Sequence, residues 1–190
     1  LLQMLLKDEH NTKLKLFSRS SCEVAHPKIE EHLGDLFKLQ QFADHFAGDV
    51  VFCCIGTTKS KTPDKETYRE IDYGIPVAAS KLAKRNNINT FEVISVMGAD
   101  VRSSTFYTKI KGEMEQDVLD VAIANTYIFR PSLIGGRRNE KRFGEGMAQV
   151  FMGIFNFLIP KQYQIIEPET IARAMIKVVE TGYEKQQILS

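Results

Sequence analysis

The stretch Asp49-Val50-Val51-Phe52-Cys53-Cys54-Ile55 constrains this chain more than any other. After its first residue it is apolar without a break, and Gly56-Thr57-Thr58 ends it. A run of that length and composition reads as a strand buried on both faces of a parallel sheet. Parallel strands need crossover connections, usually helices. The rest of the chain alternates to match. Lys13 to Ser18 alternates like a strand, and His32 to Leu36 reads as a short strand and turn. Leu36, Leu39, Phe42 and Phe46 recur at helical spacing. Residues 67–87 read as mainly helical, although Gly74 and Pro76 interrupt the early part. Thr90 to Ser95 is a strand, 105–124 a helix, and Thr126 to Arg130 a strand ended by Pro131. An apolar helix over about 144–158 and a helix from Pro168 to about Glu180 follow. The expected fold is α/β, a doubly wound parallel sheet. At 190 residues the chain reads as one domain. Its C-terminal part, from about residue 135, is expected to form a substrate-side lobe.

The formal net charge is +1, which supplies no global attraction to nucleic acid or to an anionic membrane. The basic run Arg137 to Arg142 reads as a solvated loop, so neither nucleic acid nor membrane is an expected partner. The three cysteines, Cys22, Cys53 and Cys54, suggest no disulfide framework, because adjacent cysteines bridge poorly. A reducing, cytoplasmic setting fits that usage best. The histidines, His10, His26, His32 and His45, show no metal-ligand spacing with cysteine or carboxylate and read as surface residues. No metal is expected. Leu1 to Lys7 reads as the middle of an amphipathic helix without a capping signal. The reading therefore expects further chain ahead of Leu1, where a dinucleotide-binding fold would carry its first strand and glycine-rich phosphate loop.

In open α/β sheets, ligands bind at the carboxyl ends of the strands. Four segments fall there: Ser18-Arg19-Ser20, Gly34-Asp35, Gly56-Thr57-Thr58 and Ser95. Arg19, with no acid before Glu23, suits the 2′-phosphate of NADP(H). Asp35 either accepts from an adenine amino group or simply forms a Gly-Asp turn. Gly56 allows close approach of the backbone to a cofactor, and Thr57 and Thr58 offer hydroxyls. Twelve residues after Ser95 comes Tyr107, with Lys111 one helical turn further on. A neighbouring ammonium is expected to lower the phenol's pKa, normally about 10, and to make it a proton donor near neutral pH. Ser95 would hold the oxygen that receives the proton.

These residues resemble the atypical short-chain dehydrogenase/reductases, close to the Tat-interactive protein group and its bacterial relatives, with NmrA-like proteins further off. The matching segments are Phe52 to Thr58, Ser95 to Asp100, Tyr107 through Lys111-Gly112-Glu113, and Phe129-Arg130-Pro131. The resemblance implies a Rossmann fold that binds NADP(H). It implies Ser95, Tyr107 and Lys111 as the catalytic set, with Lys111 also bonding the nicotinamide ribose. It implies cofactor contacts at Arg19, Ile55, Gly56, Pro131, Ile134 and Arg142, which join the strand-end candidates Ser18, Asp35 and Thr57, with Tyr107 also counted at the cofactor. Relatives often carry two serines where this chain has Ser95-Val96; spacing to Gly98 assigns the working place to Ser95. The implied activity is NADPH-dependent reduction of a carbonyl, or oxidation of an alcohol, on an unidentified small molecule. The group also includes regulators, so the alternative is an NADPH sensor acting through protein contacts. Val150, Phe151, Ile154, Phe155 and Leu158 form an apolar stretch that packs on the core or serves a partner, and a homodimer is compatible with it.

Overall fold

The computed structural model describes residues 1–132, 134–135, 165–181 and 187–189. Its strands fall into two parallel sheets. In the first, β1 (Leu14–Ser18) pairs with β2 (Ile29–Leu33), from Leu14 opposite Ile29 to Ser18 opposite Leu33. The second runs β3 (Val50–Cys53), β4 (Thr90–Ile94), β5 (Asn125–Phe129) and β6 (Gln187–Leu189), each parallel to the next. The fold is the expected α/β Rossmann architecture, but the described strands do not form one continuous sheet. The doubly wound order 3-2-1-4-5-6 accounts for the split. β1 and β2 take the second and third places and β3 to β5 the fourth to sixth. The first place, which joins the two groups, has no strand among the described residues. The same arrangement corrects the reading of β3. Only Cys53 is buried, and Val50, Val51 and Phe52 are partly exposed, because among the described residues β3 is paired on one side only.

The crossover from β3 to β4 is helical without a break from Lys65 to Arg85, with α2 (Lys65–Arg69), a π turn (Glu70–Gly74) and α3 (Ile75–Arg85). Gly74 and Pro76 do not interrupt it. Proline has no N–H to give the carbonyl four residues back, here Asp72, and its ring crowds that carbonyl. The wider π turn absorbs the misfit. The crossover from β4 to β5 carries α4 (Phe106–Asp120), and α5 (Pro168–Thr181) lies on the opposite side of the sheet. A short α1 (Leu2–Lys7) opens the chain. Among the described residues no helix is long and apolar enough to cross a membrane.

Alternation along the strands sorts the core into two layers. Phe91, Val93 and Ile128 pack with Leu82, Ala83, Met114 and Val118 from α3 and α4. Tyr127 and Phe129 pack with Ile171 and Met175 of α5. Leu36, Leu39, Phe42 and Phe46 are all buried, as their spacing predicts, although Leu36–Phe42 is a 3-10 helix. The three cysteines are free, with Cys53 buried and Cys54 exposed. The strand β6 has no counterpart in the sequence reading.

Candidate active site

The site is assembled where α4 meets the carboxyl end of β4. A Cβ on Gly112 would lie 2.4 Å from the carbonyl carbon of Asp100 and 2.5 Å from the nitrogen of Val101. Only glycine admits that contact, and it presses α4 against the loop that follows β4. Lys111 is thereby carried inside, with 2% of its surface exposed. Its Nζ lies 3.1 Å from Asp72 Oδ1 and donates to the Ile94 carbonyl at 3.2 Å. Asp72 is itself 1% exposed, and its Oδ2 accepts from the Thr57 backbone N–H at 2.8 Å. One carboxylate in the π turn thus joins the loop after β3 to the lysine of α4. Burying either charge alone would be costly, so the pair holds both in place. Asp72 is absent from the sequence reading, because nothing in its spacing separates it from the solvated acids nearby. The π turn that contains it is the structural sign, since such turns gather at functional sites.

Tyr107 stands one turn before Lys111, as expected, and meets Tyr68 edge-on, with ring centroids 6.2 Å apart at 83°. The Tyr68 hydroxyl donates to the Thr57 carbonyl at 3.4 Å. The expected fall in the Tyr107 pKa does not occur. Burial, and then the negative charge of Asp72, push the phenol up to about 12. The Lys111 ammonium that was to lower it is directed at Asp72 and Ile94 instead.

Ser95 has a different setting from the one its spacing suggested. It is 3% exposed, and its hydroxyl donates to Glu115. Glu115 also accepts two bonds from Arg130 Nε, at 2.9 and 3.2 Å, and one from Arg130 Nη2. This network ties β4, α4 and the end of β5 together. Met97 donates its N–H to the Pro131 carbonyl at 3.0 Å, which sets Pro131 beside the loop that follows β4.

The remaining candidates sit largely at strand ends. Ser18 Oγ donates to the Ser20 carbonyl at 2.7 Å, closing a turn that leaves Arg19 exposed and without a partner among the described residues. Asp35 follows the turn reading: its carboxylate caps the 3-10 helix by accepting from the Phe37 N–H at 3.0 Å. Gly56 is exposed, Ile55 partly so, and Thr57 Oγ1 bonds Thr62 Oγ1 at 2.8 Å. Ile134 bridges in parallel to Ile166. Arg142, the basic run that contains it and the apolar stretch Val150 to Leu158 lie outside the described residues. An exposed cation after β1, an exposed glycine after β3 and a buried lysine after β4 fit a dinucleotide laid across the carboxyl ends of the strands.

The reading of the histidines needs correction. His32 is partly buried on β2, and Glu30, His32 and His45 come together with their ligand atoms within 4.8 Å of one another. No sequence spacing announces this set, because a turn after the 3-10 helix brings His45 to the strand.

No protein-family model matches the chain. Protein HTATIP2 of Rattus norvegicus is 30% identical over 194 residues, covering 100% of this chain and 79% of the relative. The mitochondrial protein FMP52 of Candida albicans is 36% identical over 104 residues, covering 54% of this chain and 45% of the relative. The mitochondrial designation of such fungal relatives overturns the expectation of a cytoplasmic protein, which rested on cysteine usage alone. Among solved structures, the Bordetella bronchiseptica enzyme WbmH in complex with NAD+ superposes with a TM-score of 0.69. It shares 14% sequence identity and covers 100% of this chain and 70% of WbmH. That likeness shows the Rossmann fold, and the match to HTATIP2 over the whole of this chain shows the lineage. The chain belongs to the HTATIP2 family of atypical short-chain dehydrogenase/reductases.

Proposed function

We propose that the protein is a nicotinamide-dinucleotide oxidoreductase that prefers NADPH and reduces a carbonyl, or oxidises an alcohol, of a small molecule. The observation that carries this reading is the buried Lys111, fixed by Asp72 and the Ile94 carbonyl one helical turn from Tyr107. An ammonium has three N–H donors. Two are directed at Asp72 and Ile94, which leaves one for a ribose hydroxyl. When bound, the dinucleotide supplies the hydride. Tyr107 donates the proton to the substrate oxygen, and its raised pKa keeps the phenol loaded at neutral pH. Ser95 belongs to this set only if its hydroxyl leaves Glu115 for the substrate. Arg19 supports NADPH over NADH, because it is an exposed cation just after β1, without a partner among the described residues. The NAD+ in the WbmH structure supports the dinucleotide but not the added phosphate.

The test is Tyr107→Phe, assayed by NADPH oxidation against a panel of aldehydes, ketones and quinones. Loss of a general acid typically costs about 10²–10⁴-fold in rate. Cofactor affinity should stay unchanged. A variant that turns over its substrate at the wild-type rate would falsify the mechanism.

One observation favours a second reading, an NADPH sensor: the Ser95 hydroxyl is committed to Glu115 inside the fold. In that case NADPH binds and no member of the panel is reduced.

A further inference from the structure

Glu30 and His32 are two residues apart on β2, so their side chains leave the same face of the two-stranded sheet. Lys15 and Phe17 share that face, opposite Glu30 and His32 in the β1–β2 register. The turn carrying His45 is pinned above it. The His45 N–H donates to the Phe42 carbonyl at 2.9 Å, and the His45 carbonyl accepts from Lys15 Nζ at 2.9 Å. Asn86 Nδ2 donates to the carbonyls of Ala43 at 2.8 Å and Phe46 at 2.6 Å. The His32 ring is stacked between Phe17, with centroids 4.9 Å apart, and His45, at 4.6 Å. His32 Nε2 lies 2.8 Å from Glu30 Oε1.

From this arrangement we propose that Glu30, His32 and His45 bind one divalent transition-metal ion of the zinc class. Two imidazole nitrogens and one carboxylate oxygen suit zinc, cobalt, nickel or copper rather than magnesium or calcium. Three protein ligands leave at least one position for water. Ligand atoms about 2.0 Å from a tetrahedral zinc stand roughly 3.3 Å apart, so the Glu30–His32 contact opens slightly on binding. His45 is exposed and its ring can turn to converge with the others. Lys13 Nζ holds the second Glu30 oxygen, Oε2, at 2.9 Å, which orients the carboxylate and leaves Oε1 as the ligand atom. The positive charges of Lys13 and Lys15 facing Glu30 weaken the affinity without removing the donors. The bound ion would cross-link β2 to the 43–46 turn, well apart in sequence from Tyr107 and Lys111.

The test is a cobalt(II) titration of the whole protein, read by visible absorption, followed by displacement with zinc. The expected result is one equivalent bound, with no thiolate charge-transfer band, and a melting temperature raised by zinc. Loss of an outer partner alone costs 10–100-fold in metal affinity, so His45→Ala should weaken binding at least about tenfold. His45 is exposed, so that variant keeps its fold, and Glu30→Gln should repeat the loss. His10→Ala and Cys22→Ser should leave binding unchanged. The proposal is overturned if no one-equivalent binding appears, if binding survives His45→Ala unaltered, or if Cys22→Ser abolishes it.

Discussion

Two buried carboxylates lie on opposite sides of the four-stranded sheet, and they live very differently. Asp72, on the side of α3 and α4, meets the Lys111 ammonium and the Thr57 N–H. Glu92, on β4 between Phe91 and Val93, points to the other side and has no hydrogen-bond partner for either oxygen among the described residues. Both are 0–1% exposed. Burial pushes the Glu92 carboxyl up to about 8. The contrast shows how the fold spends buried charge. On the candidate-site side a charge is retained and matched, and it fixes a lysine. On the other side the carboxyl stays neutral near pH 7 and contributes a pH dependence.

Breaking the matched side should produce the largest effect. Lys111→Met leaves Asp72 buried and uncompensated, which costs about 3–5 kcal/mol. Urea unfolding should show that loss, and adding Asp72→Asn should recover most of it.

The unmatched side should respond in the opposite direction. The folded-state pKa of Glu92 stands above the ordinary value of 4.5, so the folded protein holds a proton that the unfolded chain has released. Stability therefore falls as pH rises from about 4.5 to about 8 and levels off above. Glu92→Met should stabilise the protein by about 3 kcal/mol at pH 7 and flatten that slope, as thermal melts across the window would show.

A smaller effect sharpens the comparison within the matched side. Ser95→Ala removes one donor from Glu115 while Arg130 remains, at a cost of about 1 kcal/mol. Stability and turnover should be measured on the same preparation. A fall in turnover beyond the loss of folded protein would show that the hydroxyl also meets substrate.

Much of this was legible because it is local. Tyr107 and Lys111 share one helix face, so four-residue spacing reveals them. Leu36, Leu39, Phe42 and Phe46 reveal a buried stripe, though not that its helix is 3-10. Asp72 was not legible, because its role depends on a loop and a helix that reach it from elsewhere in the chain. The Tyr107 pKa was misjudged for the same reason: the pair Tyr107–Lys111 was visible, but the acid that claims the lysine was not. Glu30 and His32 are close in sequence, yet His45 joins them only through the turn. Arg19 and Gly56 could be read from their places after strands, whereas β6, at three residues, is too short to carry a periodic signal.

The most direct test of the central claim is a fluorescence titration of the protein with NADPH and with NADH. The chain has no tryptophan, so its own emission is low. Tight NADPH binding, much weaker NADH binding and loss of that preference in Arg19→Ala are the predicted result. Absence of binding to either dinucleotide would contradict both the oxidoreductase and the sensor, and would leave a Rossmann domain that serves another purpose.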